Sequence, residues 1–131
     1  MNRSIHARIL IVDDDETELF LLRYALEGAG FSVAEANSAE SGLEICDLRL
    51  PDALVLDATL PGLDGLDMCR ALRRNPHSQN LPILVLTGRQ DPESECRALE
   101  AGATDFMTKT SDWPSIVNRI RKLIDRIQHY P

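Results

Sequence analysis

Three aspartates stand side by side in the stretch ILIVDDDETE, where Asp13, Asp14 and Asp15 follow four branched aliphatic residues without a break. A further aspartate, Asp57, follows ALVL, while Thr87 follows the run PILVL and Lys109 follows DFMT. Each of these polar groups stands at the downstream end of a short apolar run. Asp13, Asp14 and Asp57 brought together without a counterion would repel strongly at low local dielectric. A hard divalent cation removes that conflict, and Mg2+ suits a site of one or two carboxylates, waters and a phosphate oxygen. In such a site an aspartate can be a ligand or a nucleophile, and its attack on phosphorus gives an aspartyl phosphate. Phosphoryl transfer then needs the equatorial oxygens neutralised. Beside Mg2+, the Lys109 ammonium can take one oxygen, and the Thr87 hydroxyl with backbone N–H groups another. The chain has no GxxxxGK[ST] loop and no glycine-rich strand-to-helix turn for a nucleotide. The phosphoryl donor is therefore expected to be another protein or a small phosphoanhydride.

Positioning these groups takes an alternating chain. Five apolar segments read as strands: Arg8–Val12, Phe31–Ala36, Ala53–Leu56, Pro82–Leu86 and Thr104–Thr108. ILIV, ALVL and ILVL are continuous rather than alternating runs, the pattern of strands covered on both faces in a parallel sheet. Between and after them lie five segments of helical period. The first begins near Thr17, turns Leu19, Leu22 and Leu26 to one face and stops at EGAG. Ser38 caps the second, with Leu43 and Cys46 inward, and Asp64 the third, with Leu66, Cys69 and Leu72 inward. In the fourth, Asp91 is the cap, Pro92 the first helical residue and Gly102 the stop. The fifth places Trp113, Ile116, Val117, Ile120, Leu123, Ile124 and Ile127 on one face, with Arg119, Arg121, Lys122 and Arg126 on the others. The order is (βα)5, and right-handed crossovers put its five helices on two faces of one doubly wound, five-stranded parallel sheet. Ligands of such sheets bind outside the carboxyl ends of the strands. The aspartates, Thr87 and Lys109 all belong to that edge.

Each group also has an ordinary role open to it. Asp14 and Asp15 suit the cap or first turn of the first helix, and Asp57 precedes a Pro-Gly turn. Thr87 can be a loop hydroxyl beside Gly88, and Lys109 can lay its stem on the sheet with its ammonium in water. It is the set that points to chemistry.

The 131 residues suffice for one domain with a core of its own, and 44% hydrophobic with 27% charged residues is ordinary for a globular protein. A net charge of −7 argues against nucleic acid or an anionic membrane as direct ligand. No apolar run approaches the ~20 residues of a membrane span, and the N-terminal segment lacks the pattern of a signal peptide. Cys46, Cys69 and Cys96 are odd in number and form no CxxC. They read as reduced core residues on helices, which points to the cytoplasm.

Together, ILIVDDD, VLDATLPGLDG, ILVLTG and AGATDFMTK resemble the response-regulator receiver domain of two-component signalling. The resemblance runs from about Ala7 to Ile127, so the chain, 1–131, reads as one receiver with its core at about 7–127. It implies the flavodoxin-like fold with strand order 2-1-3-4-5. It also implies that Asp57 accepts a phosphoryl group from a histidine kinase or a histidine phosphotransfer protein. Asp13, Asp14 and Asp57, with the backbone carbonyl of Thr59, would hold Mg2+, and Thr87 and Lys109 would contact the phosphoryl group. Thr87 would then move inward with Phe106 and remodel the face of the fourth helix, fifth strand and fifth helix, signalling to an output domain or partner. Homodimerisation through that face is open to the family, and a lone receiver can be a complete protein that acts by docking or the input domain of a longer chain. The terminal segment resembles the end of receivers that continue into another domain, including some coupled to GGDEF-type enzymes. Such a protein catalyses only its own phosphoryl gain and loss and is not a turnover enzyme.

Three departures from the family pattern matter. Thr110 replaces the usual proline after the lysine, and a trans Lys109–Thr110 bond is expected because a non-proline cis bond costs ~2.5–4 kcal/mol. Phe106 replaces the commoner tyrosine or histidine. Thr59 and Arg89 occupy the positions that tune access of the hydrolytic water. Thr110 is the feature that favours the alternative of a non-phosphorylated pseudo-receiver acting as an interaction module. A haloacid-dehalogenase-type phosphatase would need an aspartate where Thr59 stands, and a flavodoxin-type FMN protein a Ser/Thr-rich loop after the first strand.

Overall fold

Among the described residues ten elements alternate: β1 (Arg8–Val12), α1 (Glu16–Gly28), β2 (Ser32–Ala36), α2 (Ala39–Leu48), β3 (Ala53–Asp57), α3 (Gly65–Arg74), β4 (Ile83–Thr87), α4 (Pro92–Ala101), β5 (Asp105–Thr108) and α5 (Trp113–Gln128). They come from a computed structural model that describes residues 7–58, 65–88, 91–110 and 112–128, with side chains to Asp125. The strands form one parallel sheet in the order β2-β1-β3-β4-β5.

Strand pleating splits each apolar run between two cores. Leu10, Val12, Leu54, Leu56, Ile83 and Val85 pack against Cys46, Met68, Cys69, Leu72 and Ala98 of α2, α3 and α4. The intervening Ile9, Ile11, Val55, Leu84 and Leu86 pack against Leu19, Leu22 and Leu26 of α1 and Ile116, Ile120 and Ile124 of α5. This two-sided burial is what made the runs continuous in sequence.

The punctuation behaves as its chemistry requires. Asp15 caps α1 by accepting from the Thr17 and Glu18 N–H groups, Ser38 accepts from Ser41 N–H, and Asp91 accepts from Ser94 N–H. Gly102 ends α4 at φ 111°, a left-handed conformation that favours glycine. The Arg73 side chain lies against that glycine and donates from Nε to the Gly102 carbonyl at 2.8 Å, fastening the end of α3 to the end of α4.

Several expectations are corrected. Asp57 and Thr87 are the last residues of their strands rather than the residues after them, because the ladder runs on to pair Asp57 with Leu86 and Thr87 with Thr108. Phe31 precedes β2: its N–H donates to Leu26 O, so its ring closes the α1 turn inside the core. Thr104 precedes β5, and its Oγ1 accepts from Ile83 N–H. Cys96 is exposed on α4 rather than in the core, while Cys46 and Cys69 are buried. Arg119 and Arg121 lie off the apolar face of α5, as expected, and both are engaged. Arg119 donates to Asp105 at 2.7 Å, and Arg121 reaches the Ala29 carbonyl and lies 5.7 Å over the Phe31 ring. The proposed cap Asp64, Thr59 and Arg89 lie outside the described residues, as do the side chains of Arg126 and Ile127.

Candidate functional site

The sheet register builds the site. β1 pairs with β3 through Val12 and Leu56, so Asp13 and Asp57 leave the sheet as neighbours. The Lys109 N–H donates to the Thr87 carbonyl at 2.6 Å, which carries the β4–β5 ladder beyond its last pair and fixes Lys109 at the same edge. By strand alternation Asp13 and Asp57 follow Ile11 and Val55 onto the α1/α5 side, and Lys109 follows Met107 there. Thr87 follows Val85 to the other side, the side against which Phe106 packs.

Asp13, Asp57 and Thr87 are buried, and Asp14 is exposed. Carboxylate oxygens of Asp13, Asp14 and Asp57 lie within 4.8 Å of one another. That donor set of hard oxygens on adjacent strand ends fits a small hard cation such as Mg2+. The Lys109 ammonium lies 3.3 Å from Asp57 Oδ2, 3.4 Å from Asp13 Oδ2 and 2.7 Å from Oε2 of Glu18 on α1. Every peptide bond among the described residues is trans, Lys109–Thr110 included.

The electrostatics are those of crowded acids. Burial raises the Asp13 carboxyl to about 7, and its hydrogen bond with Glu18 and the Asp57 charge push the same way, against the Asp15 N–H and Lys109. Glu18 is held below the usual glutamate range, chiefly by that hydrogen bond with Asp13. Burial works against the Lys109 charge, but Glu18, Asp57 and Asp13 outweigh it and keep the ammonium protonated well beyond neutral pH.

The site thus joins Asp13, Asp14, Asp57 and Lys109 directly, with Thr87 at the same sheet edge. Two of its residues escaped the sequence reading. Glu18 sits three residues after the α1 cap, where a glutamate ordinarily reaches back to the cap N–H. Gly65 opens α3 against β3, where an added Cβ would overlap the Asp57 carbonyl oxygen and come within 3.3 Å of Ala58 Cα. Its signal was its place at the end of LPGLDG, where a close backbone approach demands glycine.

A family model for the response regulator receiver domain matches residues 9–121. The chain belongs to that family. This receiver domain is 37% identical over 119 residues to the phosphate regulon transcriptional regulatory protein PhoB of Rhizobium meliloti, covering 91% of this chain and 52% of PhoB. It is 44% identical to the response regulator MprA of Mycobacterium leprae, over 91% of this chain and 51% of MprA. The chain therefore spans about half the length of the curated relatives it matches. Among solved structures, a protein of Chloroflexus aurantiacus assigned to the response regulators superposes with a TM-score of 0.88 at 39% identity, covering 92% of this chain and 98% of its own. The receiver domain of a Syntrophus aciditrophicus signal transduction histidine kinase gives 0.87 at 29% identity, over 95% of both chains. The receiver's flavodoxin-like architecture, with strand order 2-1-3-4-5, is shared with these neighbours. Phosphorylation on an aspartate with Mg2+ is a general property of the family, and the cluster of Asp13, Asp14 and Asp57 is compatible with it.

Proposed function

We propose that Asp57 of this chain is the phosphoacceptor, loaded by a histidine kinase or a histidine phosphotransfer protein. The observation that carries the reading is the buried Asp57 carboxylate on the last residue of β3, 3.3 Å from the Lys109 ammonium and beside Asp13 and Asp14. An Asp57 oxygen forms the new O–P bond as the donor's P–N bond breaks. The electron pair leaves on the donor imidazole nitrogen, which takes its proton from solvent. Lys109 and the Thr87 hydroxyl bind phosphoryl oxygens as the charge moves onto Asp57. Asp13, Asp14 and Asp57, with the Thr59 carbonyl, would hold Mg2+, which would neutralise charge on the phosphoryl oxygens.

With Thr87 and Phe106 on the same side of the sheet, an inward pull on the hydroxyl opens space for the Phe106 ring. The altered face is that of α4, β5 and α5, read by an output domain, a partner or a second copy of the chain. The protein changes only its own phosphorylation state, and its free thiols suit the cytoplasm. An acidic chain of this kind contacts neither nucleic acid nor membrane through the receiver itself.

Intact mass spectrometry after incubation with acetyl phosphate and Mg2+ tests this. Wild type is expected to gain a single phosphoryl group, and EDTA or Asp57→Asn abolishes it. If the adduct persists in Asp57→Asn, the acceptor is another residue. If a chain that binds Mg2+ forms no adduct even on the shortest timescale, the non-phosphorylated pseudo-receiver takes the place of this reading.

A further inference from the structure

The nearest carboxylate to Lys109 belongs to Glu18, at 2.7 Å, against 3.3 Å for Asp57 and 3.4 Å for Asp13. An ammonium has three donors but a single charge. An oxygen-rich phosphoryl group arriving on Asp57 adds negative charge within its reach. We infer that Glu18 is a positioning residue that occupies Lys109 until the phosphoryl group arrives, so that loading exchanges one partner of the ammonium for another. The inference rests on the reading of Asp57 as phosphoacceptor.

Two features make Glu18 available for this. Its ordinary destination as the third residue after a helix cap is the cap's own N–H, but Asp15 N–H already donates to Asp13 Oδ1 at 3.0 Å. Its carboxylate is therefore turned across the sheet edge to β5's end. Both partners also keep some contact with water, at 27% side-chain exposure for Lys109 and 36% for Glu18. They border a cleft of about 310 Å³ between α1 and the start of α5. Once released, the Glu18 carboxylate can hydrate without leaving its helix. Loading must break the Glu18–Lys109 pair, so Glu18 opposes loading and its removal favours it.

Lys109 and Lys122 are the chain's lysines, which makes the exchange visible. Lysine labelled with 15N and 13C gives resolved Cε–Nζ signals for each, followed while the full chain is titrated with beryllofluoride, a phosphoryl mimic, in constant Mg2+. In the free protein Glu18→Gln is expected to move the Lys109 signal while leaving Lys122 in place. In the loaded protein the Lys109 signals of wild type and variant are expected to coincide. The variant is expected to bind beryllofluoride about fivefold more tightly, the size a half-exposed ion pair carries, and Glu18→Asp should fall between the two. A Lys109 signal that differs between wild type and variant as much after loading as before, or an unchanged affinity, overturns the inference. Should wild type show no saturable response to beryllofluoride, the assignment of Asp57 fails first and this inference goes with it.

Discussion

Burial raises the Asp13 carboxyl from 3.8 to about 7, so across that interval the folded chain binds a proton that the unfolded chain has released. Stability therefore falls as pH rises through the interval, and the full penalty stands above about 7. Glu18, shifted the other way, offsets part of it. Without metal, Asp13→Asn is expected to unfold less readily than wild type at pH 8, by about 1–3 kcal/mol. The gain should shrink as pH falls toward 4, where the folded wild-type carboxyl is protonated and carries no charge to bury. Thermal melts of both proteins across pH check this, and a variant that is less stable at every pH contradicts it. The Asp15 N–H keeps its acceptor, since an amide oxygen can replace the carboxylate oxygen it now binds. The aspartates were legible in sequence only as a set: each has an ordinary use as a cap or turn residue, but acids gathered at neighbouring strand ends repel unless a cation joins them. Glu18 was not, because its spacing from Asp15 is that of a capping residue, and only the prior engagement of the Asp15 N–H redirects it.

Helix α3 is set on the end of β3 with no room between. A Cβ on Gly65 would overlap the Asp57 carbonyl oxygen and lie 3.1 Å from the carbonyl carbon. The obstruction is backbone, which cannot rotate away. Gly65→Ala is expected to cost about 1–3 kcal/mol, as overpacking does, and to slow phosphoryl uptake by shifting Asp57 from Lys109. Denaturant melts and adduct formation with acetyl phosphate should therefore change together; a variant with normal melting and normal uptake would show that α3 can retreat. At this scale the sequence carried the order of elements, the two-sided burial and the caps at Asp15, Ser38 and Asp91. It did not carry contacts between distant segments. Arg121 looked like one of several surface cations, but the fold brings it to the end of α1, where it meets Ala29 O and the Phe31 ring. Cys96 shares α4 with the buried Ala98 and Ala101, yet the helix turns it outward.

The molecule as a whole is a sheet with Asp13, Asp14, Asp57 and Lys109 gathered at one edge and separate apolar cores on either face. Asp13, Asp57 and Lys109 are on the α1/α5 side, and Thr87 and Phe106 on the side of α2, α3 and α4. Occupation of the edge therefore touches both cores at once, through β3 and β4, which are buried along their length. A ligand that binds there only in the folded state stabilises the whole chain by mass action, about 2.7 kcal/mol at a hundredfold excess over its Kd. For 131 residues that corresponds to a rise in Tm of roughly 10 °C. Mg2+ and beryllofluoride together are expected to give wild type such a rise, larger than Mg2+ alone. Asp57→Asn removes the oxygen that would hold beryllium but leaves both cores intact. It should start from a higher metal-free Tm, because one of the crowded carboxylates is gone, and gain nothing from beryllofluoride beyond the Mg2+ effect. Differential scanning calorimetry of the two proteins separates the cases. An equal beryllofluoride increment in both would place its binding away from Asp57, at a site that leaves the sheet edge out of the switch.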